Sequence, residues 1–108
     1  MMIKEINSTK AYSILQQSKN AILIDVRSSI EYDYVGHPIN AIHIPVKEAP
    51  DWEIRDDFID SVRSELKKKF PDIKNVSEIH ILLLCRSGQR SGQAAQMLEL
   101  EGYKNIIN

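Results

Sequence analysis

The residues of this 108-residue chain best suited to covalent chemistry begin with its single cysteine. Cys85 opens the run Cys85-Arg86-Ser87-Gly88-Gln89-Arg90. Ile79 and the apolar stretch Ile81 to Leu84 lie just before it, and Ser91 to Glu101 reads as a helix just after it. The thiol therefore falls where a buried strand ends and a helix begins. Backbone N–H groups at such a junction have no partner within the helix, and the helix dipole adds positive potential there. Two arginines strengthen it. That setting pulls a thiol pKa below its usual value of about 8.5 and stabilises an anion beside the sulfur. A cysteine whose only work was packing would not need such polar neighbours. The chemistry expected is nucleophilic attack by a thiolate on an electrophilic sulfur or phosphorus centre.

A strand must bring this run to an edge, and the chain alternates strand and helix patterns. Ile3 to Ile6 reads as a short strand. Asn7-Ser8-Thr9 offers caps for a helix near 8–18. Ala21 to Val26 is a continuous apolar run apart from Asp25, as expected of a strand buried on both faces. Arg27 follows. Asp25 and Arg27 fit a structural ion pair and a supporting part of a site equally well. Ser28 with Glu31 forms a capping box for a short helix, which Gly36-His37-Pro38 ends. Ala41 to Ile44 is a third strand. Ile54, Phe58, Val62, Leu66 and Phe70 recur every fourth residue, which predicts an amphipathic helix near 54–70, ended by Pro71. Lys67-Lys68-Lys69 belongs to its solvated face. Ile79 to Leu84 is the central strand. Ala94, Ala95, Leu98 and Met97 face the core from the last helix, with Gly102 as its cap, and Asn105 to Ile107 begins another strand. The fold class is α/β, a single domain whose mostly parallel sheet carries helices on both faces. Ligands of such sheets bind at the carboxyl ends of strands, where Cys85 and Arg27 both fall.

Composition bounds the rest. With 43% hydrophobic and 27% charged residues the chain is an ordinary globular one with a single core. Fourteen basic residues against 15 acidic ones leave no electrostatic footprint for nucleic acid or an anionic membrane. A lone cysteine rules out an internal disulfide and suits a reducing, cytoplasmic setting. No apolar run approaches the roughly 20 residues of a membrane helix, and no signal peptide is read at the start. His37, His43 and His80 are not at metal-ligand spacing, and neither a metal nor a cofactor is implied.

Four blocks in order resemble the rhodanese-like domain family. Asp25-Val26-Arg27 with Glu31 is similar to its first motif, and Gly36-His37-Pro38 through Ile44-Pro45 to its second. Cys85 through Ser91 is similar to the active-site loop, and Gly102-Tyr103-Lys104-Asn105 to the segment after the following helix. The resemblance covers roughly residues 3–108, within a single domain at 1–108. It implies a sulfurtransferase in which Cys85 takes the outer sulfur of an anionic donor such as thiosulfate. The resulting persulfide passes that sulfur to cyanide or a thiol, in two half-reactions. It implies that the amides of Arg86, Ser87, Gly88, Gln89 and Arg90 cradle the transferred sulfur and that Arg86 binds the donor. Arg90 would fix the loop through Asp25 or Glu31. Gly88 is the residue for a turn with positive φ. A protein sulfur-relay partner is a further expectation. The chain departs from the family's pattern in stopping before a glycine-rich loop and closing helix. It also departs in its insert, Lys47 to Pro71, whose Trp52 either lines a pocket mouth or packs the insert onto the body.

Two other functions compete. Cysteine phosphatases and arsenate reductases use a loop one residue longer between Cys and Arg, whose wider ring of amides suits a phosphoryl group. Non-catalytic rhodanese-like interaction modules usually lack the loop cysteine, which this chain keeps.

Overall fold

The computed structural model describes residues 2–4, 13, 20–34, 41–48, 51–84 and 89–107. Five strands, β1 (Met2–Lys4), β2 (Ala21–Asp25), β3 (Ile42–His43), β4 (His80–Leu84) and β5 (Asn105–Ile107), form one sheet in the order β1-β5-β4-β2-β3. Every pairing is parallel. Among the described residues, the α-helices α1 (Ser29–Tyr34), α2 (Phe58–Lys69) and α3 (Gln89–Leu100) alternate with them. The α/β class read from the pattern is the class observed. Of the helix expected near 8–18, only Ser13 is described, and it is helical.

The continuous apolar runs are the central strands because a parallel sheet is covered on both faces. Side chains alternate across it. Ile22, Ile24, Ile81, Leu83 and Ile106 face one way and share a core with Phe58, Val62 and Leu66 of α2 and Ala94, Ala95 and Leu98 of α3. Each large side chain buried there contributes about 1.5–3 kcal/mol. Ala21, Leu23, Leu82 and Ile107 form a separate cluster on the opposite face. Helix α1 reaches that face through Tyr32, whose ring stacks on His43 at 4.2 Å.

Helix α2 begins four residues later than its apolar stripe predicts. Ile54 continues the spacing, but its segment is committed elsewhere. Lys47 and Ile54 form an antiparallel bridge, and the Arg55 N–H donates to the Val46 carbonyl at 2.8 Å. Ile54 is accordingly 43% exposed. The helix ends as expected, with Lys67, Lys68 and Lys69 complementing the dipole of its last turn and Pro71 unable to continue it. Helix α3 starts at Gln89, two residues before the expected Ser91. It closes on Gly102 at φ 95°, where Gly102 N–H donates to Glu99 and Tyr103 N–H to Leu98. That Schellman pattern needs a left-handed residue, and it tucks buried Tyr103 against buried Leu98 before β5 begins.

Candidate functional site

The register fixes what can meet at the carboxyl edge. Asp25 is the last residue of β2 and Leu84 the last of β4, and they are direct partners. The Val26 N–H donates to the Leu84 carbonyl at 3.1 Å, and the Ile44 N–H to the Asp25 carbonyl at 3.0 Å. Strands β2, β3 and β4 thus release their chains side by side. Beyond Leu84, Cys85, Arg86, Ser87 and Gly88 lie outside the described residues, and so does the side chain of Gln89, whose backbone opens α3.

Asp25 is fully buried, and Arg27 is nearly so. The carboxylate accepts the Arg27 backbone N–H at 3.0 Å and Arg27 Nε at 2.9 Å on Oδ1, and Arg27 Nη2 at 2.7 Å on Oδ2. A two-residue spacing lets one carboxylate fold the chain back on itself and take up the guanidinium in the same act. The hydrogen bonds that Arg27 donates to Asp25 hold its pKa above its ordinary value, so the cation is permanent. Of the two roles open for this pair, the ion pair is present. The Arg27 carbonyl accepts a hydrogen bond from His43 Nε2 at 2.8 Å, which fixes the imidazole with its proton on Nε2 when neutral.

The second pair is Glu31 with Arg90. Both guanidinium nitrogens meet the carboxylate, Nη2 to Oε2 at 2.8 Å and Nη1 to Oε1. The side chains are each 18% exposed. Of the two carboxylates expected to serve Arg90, Asp25 is taken by Arg27, and Glu31 is the one used. Glu31 also completes the capping box read from the sequence: it accepts from Ser28 Oγ at 2.9 Å and Ser28 N–H at 3.3 Å. Arg90, followed by Ser28, lowers the Glu31 pKa to about 2. Arg27 feels Glu31 and Arg90 as well as Asp25, so two cations and two anions act as one network.

Sequence reasoning did not find Glu48. Its carboxylate accepts Ser29 N–H at 2.6 Å and Ser29 Oγ at 2.7 Å, capping α1 from 19 residues away. No periodicity or motif spans that separation. An open cleft of about 540 Å³ extends from Ser29 and Glu48 past Arg55 and Asp57 to Asp60 and Glu65 of α2. Its carboxylates outnumber its one arginine, so its field disfavours an anion. Trp52 lines neither this cleft nor the smaller one beside it, and it leaves 45% of its surface exposed at φ 56°. Among the described residues, no helix is long and apolar enough to cross a membrane.

A family model described as the rhodanese-like domain matches residues 8–108. An uncharacterised protein of Rickettsia rickettsii is 38% identical over 111 residues, spanning 100% of this chain and 81% of that protein. The thiosulfate:glutathione sulfurtransferase of Saccharomyces cerevisiae is 28% identical, spanning 94% of this chain and 73% of that protein. A crystal structure of an M. tuberculosis protein superposes with a TM-score of 0.78 at 24% identity, covering 100% of this chain and 77% of the other, a likeness of fold.

Proposed function

The chain belongs to the rhodanese-like domain family, and from that premise we propose that it transfers a sulfane sulfur through a persulfide on Cys85. The observation that carries the reading is the pinning of both ends of the run that Cys85 opens. Leu84, just before it, is held by the Asp25 register and by Val26. Arg90, at its close, is gripped by Glu31. A short segment anchored at a strand end and at a helix start suits a preorganised ring of amides, which stabilises an anion without reorganising.

In the first half-reaction the Cys85 thiolate attacks the outer sulfur of thiosulfate. The new S–S bond forms as the donor's S–S bond breaks, and sulfite leaves with the bonding pair. In the second, an acceptor thiolate attacks the outer sulfur of the persulfide, and Cys85 leaves as thiolate. Neither step requires a general acid, because both leaving groups are stable anions. Arg86 binds the sulfonate end of the donor. The amides of Arg86, Ser87, Gly88, Gln89 and Arg90 hold the terminal sulfur, and Gly88 supplies the turn. Asp25 and Arg27 support the ring by fixing the backbone beside it. A small thiol as acceptor draws support from the yeast relative, whose name carries glutathione. A cytoplasmic location and a single domain over 1–108 belong to the same reading.

Intact mass before and after thiosulfate tests the nucleophile. The reduced protein gains one sulfur atom, cyanide removes it, and Cys85→Ser gains none while keeping its circular dichroism. Loading of the serine variant, or no loading of a folded wild type, overturns the assignment. Arg86→Ala raises KM for thiosulfate roughly tenfold, the loss of one charge-assisted contact, and leaves an uncharged persulfide donor nearly unaffected. Equal effects on the two donors remove Arg86 from binding.

A further inference from the structure

We propose that Glu48, on the insert between β3 and α2, is a positioning residue for the Cys85 loop, acting through Ser29 and α1 to hold Glu31 against Arg90. The inference rests on the assignment of Cys85 to the site. It starts from the length of α1. Six residues are far below the roughly 12–15 at which an isolated helix holds together. Such a helix aims its side chains only as well as its neighbours hold it. Yet α1 carries Glu31, and Glu31 carries Arg90.

Local capping of α1 is already supplied by Ser28 and Glu31. Glu48 adds a second cap on the next residue, from another part of the chain, and commits both carboxylate oxygens to it at 2.6 and 2.7 Å. Hydrogen bonds from a first-turn N–H and a hydroxyl to an anion are charge-assisted and directional. They fix the axial position and rotation of the first turn, and Glu31 lies two residues further on. Glu48 is itself anchored. Its carbonyl accepts the Trp52 N–H at 2.9 Å, and Val46, two residues before it, is tied to Val26 at 3.2 Å and to Arg55 at 2.8 Å. The nearby Arg55 guanidinium pairs with Asp57. The path therefore runs from the insert through Glu48, Ser29 and Glu31 to Arg90, each link a described hydrogen bond or a step of two residues within one short helix.

Cys85 is the sole thiol, so its reaction with iodoacetamide as a function of pH reports its thiolate whether or not the protein transfers sulfur. Glu48→Ala shifts the midpoint of that profile upward by about half a unit or more, because a displaced Arg90 stabilises the thiolate less. Glu48→Gln, which keeps an acceptor oxygen at the same reach, restores part of the shift and guards against an alanine variant that fails to fold. In a Glu31→Gln background the Glu48→Ala shift disappears, since the residue through which Glu48 acts no longer holds Arg90 as an anion. An unchanged midpoint in the folded glutamine and alanine variants overturns the proposal. So does a shift of equal size in both backgrounds, which makes Glu48 independent of Glu31. If the midpoint moves as described while thiosulfate loads no sulfur, the transfer reading fails and the positioning role stands. If sulfur loads and the midpoint stays, the reverse holds.

Discussion

At the carboxyl edge of the sheet, Arg27 grips Asp25 with side chains 9% and 0% exposed, whereas along α2 Arg63 reaches Asp60 with side chains 48% and 82% exposed. The Arg–Asp contact is 2.7 Å at the edge and 3.4 Å on α2, where Arg63 also meets Glu101 at 3.0 Å. What differs is water. The pair at the edge has lost most of its hydration, and each member leans on the other's charge in its place. The pairs on α2 keep theirs and trade little by meeting. An ion pair of the first kind specifies a backbone path, because removing either member strands a buried charge. An ion pair of the second kind decorates a surface. The Glu31–Arg90 pair stands between them and leans toward the first.

Removing the Asp25 charge attacks the comparison at its strongest point. Asp25→Ala removes the carboxylate paired with the buried Arg27 guanidinium and lowers the urea-unfolding free energy by about 3–5 kcal/mol, a large share of a small domain's total. A loss under 1 kcal/mol would mean that water reaches Arg27 freely and that the two regions are alike.

Acid titration probes the intermediate pair. Glu31 has a folded pKa near 2 against an ordinary 4.5. A depressed carboxylate stabilises the fold fully above the unfolded value, and that contribution fades as pH falls from 4.5 toward 2. The loss amounts to at most about 3 kcal/mol. Urea midpoints taken down that range fall more steeply for the wild type than for Glu31→Gln. Parallel curves would assign the acid sensitivity to other carboxylates.

The smallest effect belongs to Arg55 and Asp57, whose pair is solvent-exposed on the insert. Arg55→Ala leaves the urea midpoint unchanged within error, although the Arg55 guanidinium and Asp57 shift one another's pKa in the directions expected of partners. A clear drop would show that the insert's fold depends on this pair and would bring the two regions closer together.

The parts of this fold that could be read from the chain are those governed by short-range rules. The strands β2 and β4 announce themselves as apolar runs, the Gly102 cap by its residue type, and the Ser28–Glu31 box by its spacing. The start of α2 could not be read, because Ile54 satisfies the helical period by coincidence. Its backbone is claimed by a bridge to Lys47, a contact that periodicity does not encode. The same division holds at the site. Asp25 and Arg27 are two residues apart, so their pairing was one of two roles visible in advance. Glu31 and Arg90 are 59 residues apart, and the sequence left Arg90 a choice between two carboxylates. The choice was made by exclusion once Asp25 was consumed locally. Glu48 gave no signal at all, because the turn that swings it back to Ser29 is built from the insert's own irregular backbone.

Among the described strands, the first pairs with the last. Met2 sits opposite Asn105 and Lys4 opposite Ile107, so β1 has no partner in the sheet until β5 exists. Docking β1 on β5 closes a loop that spans nearly all of the described residues. Pairings of such long separation slow folding, since the entropy of closure is lost before the contacts form. Until then β5 is the open margin of a three- or four-stranded intermediate, with Ile106 and Ile107 on a free edge. The vulnerability of this protein in a cell is therefore expected late in folding and at the margin away from its chemistry.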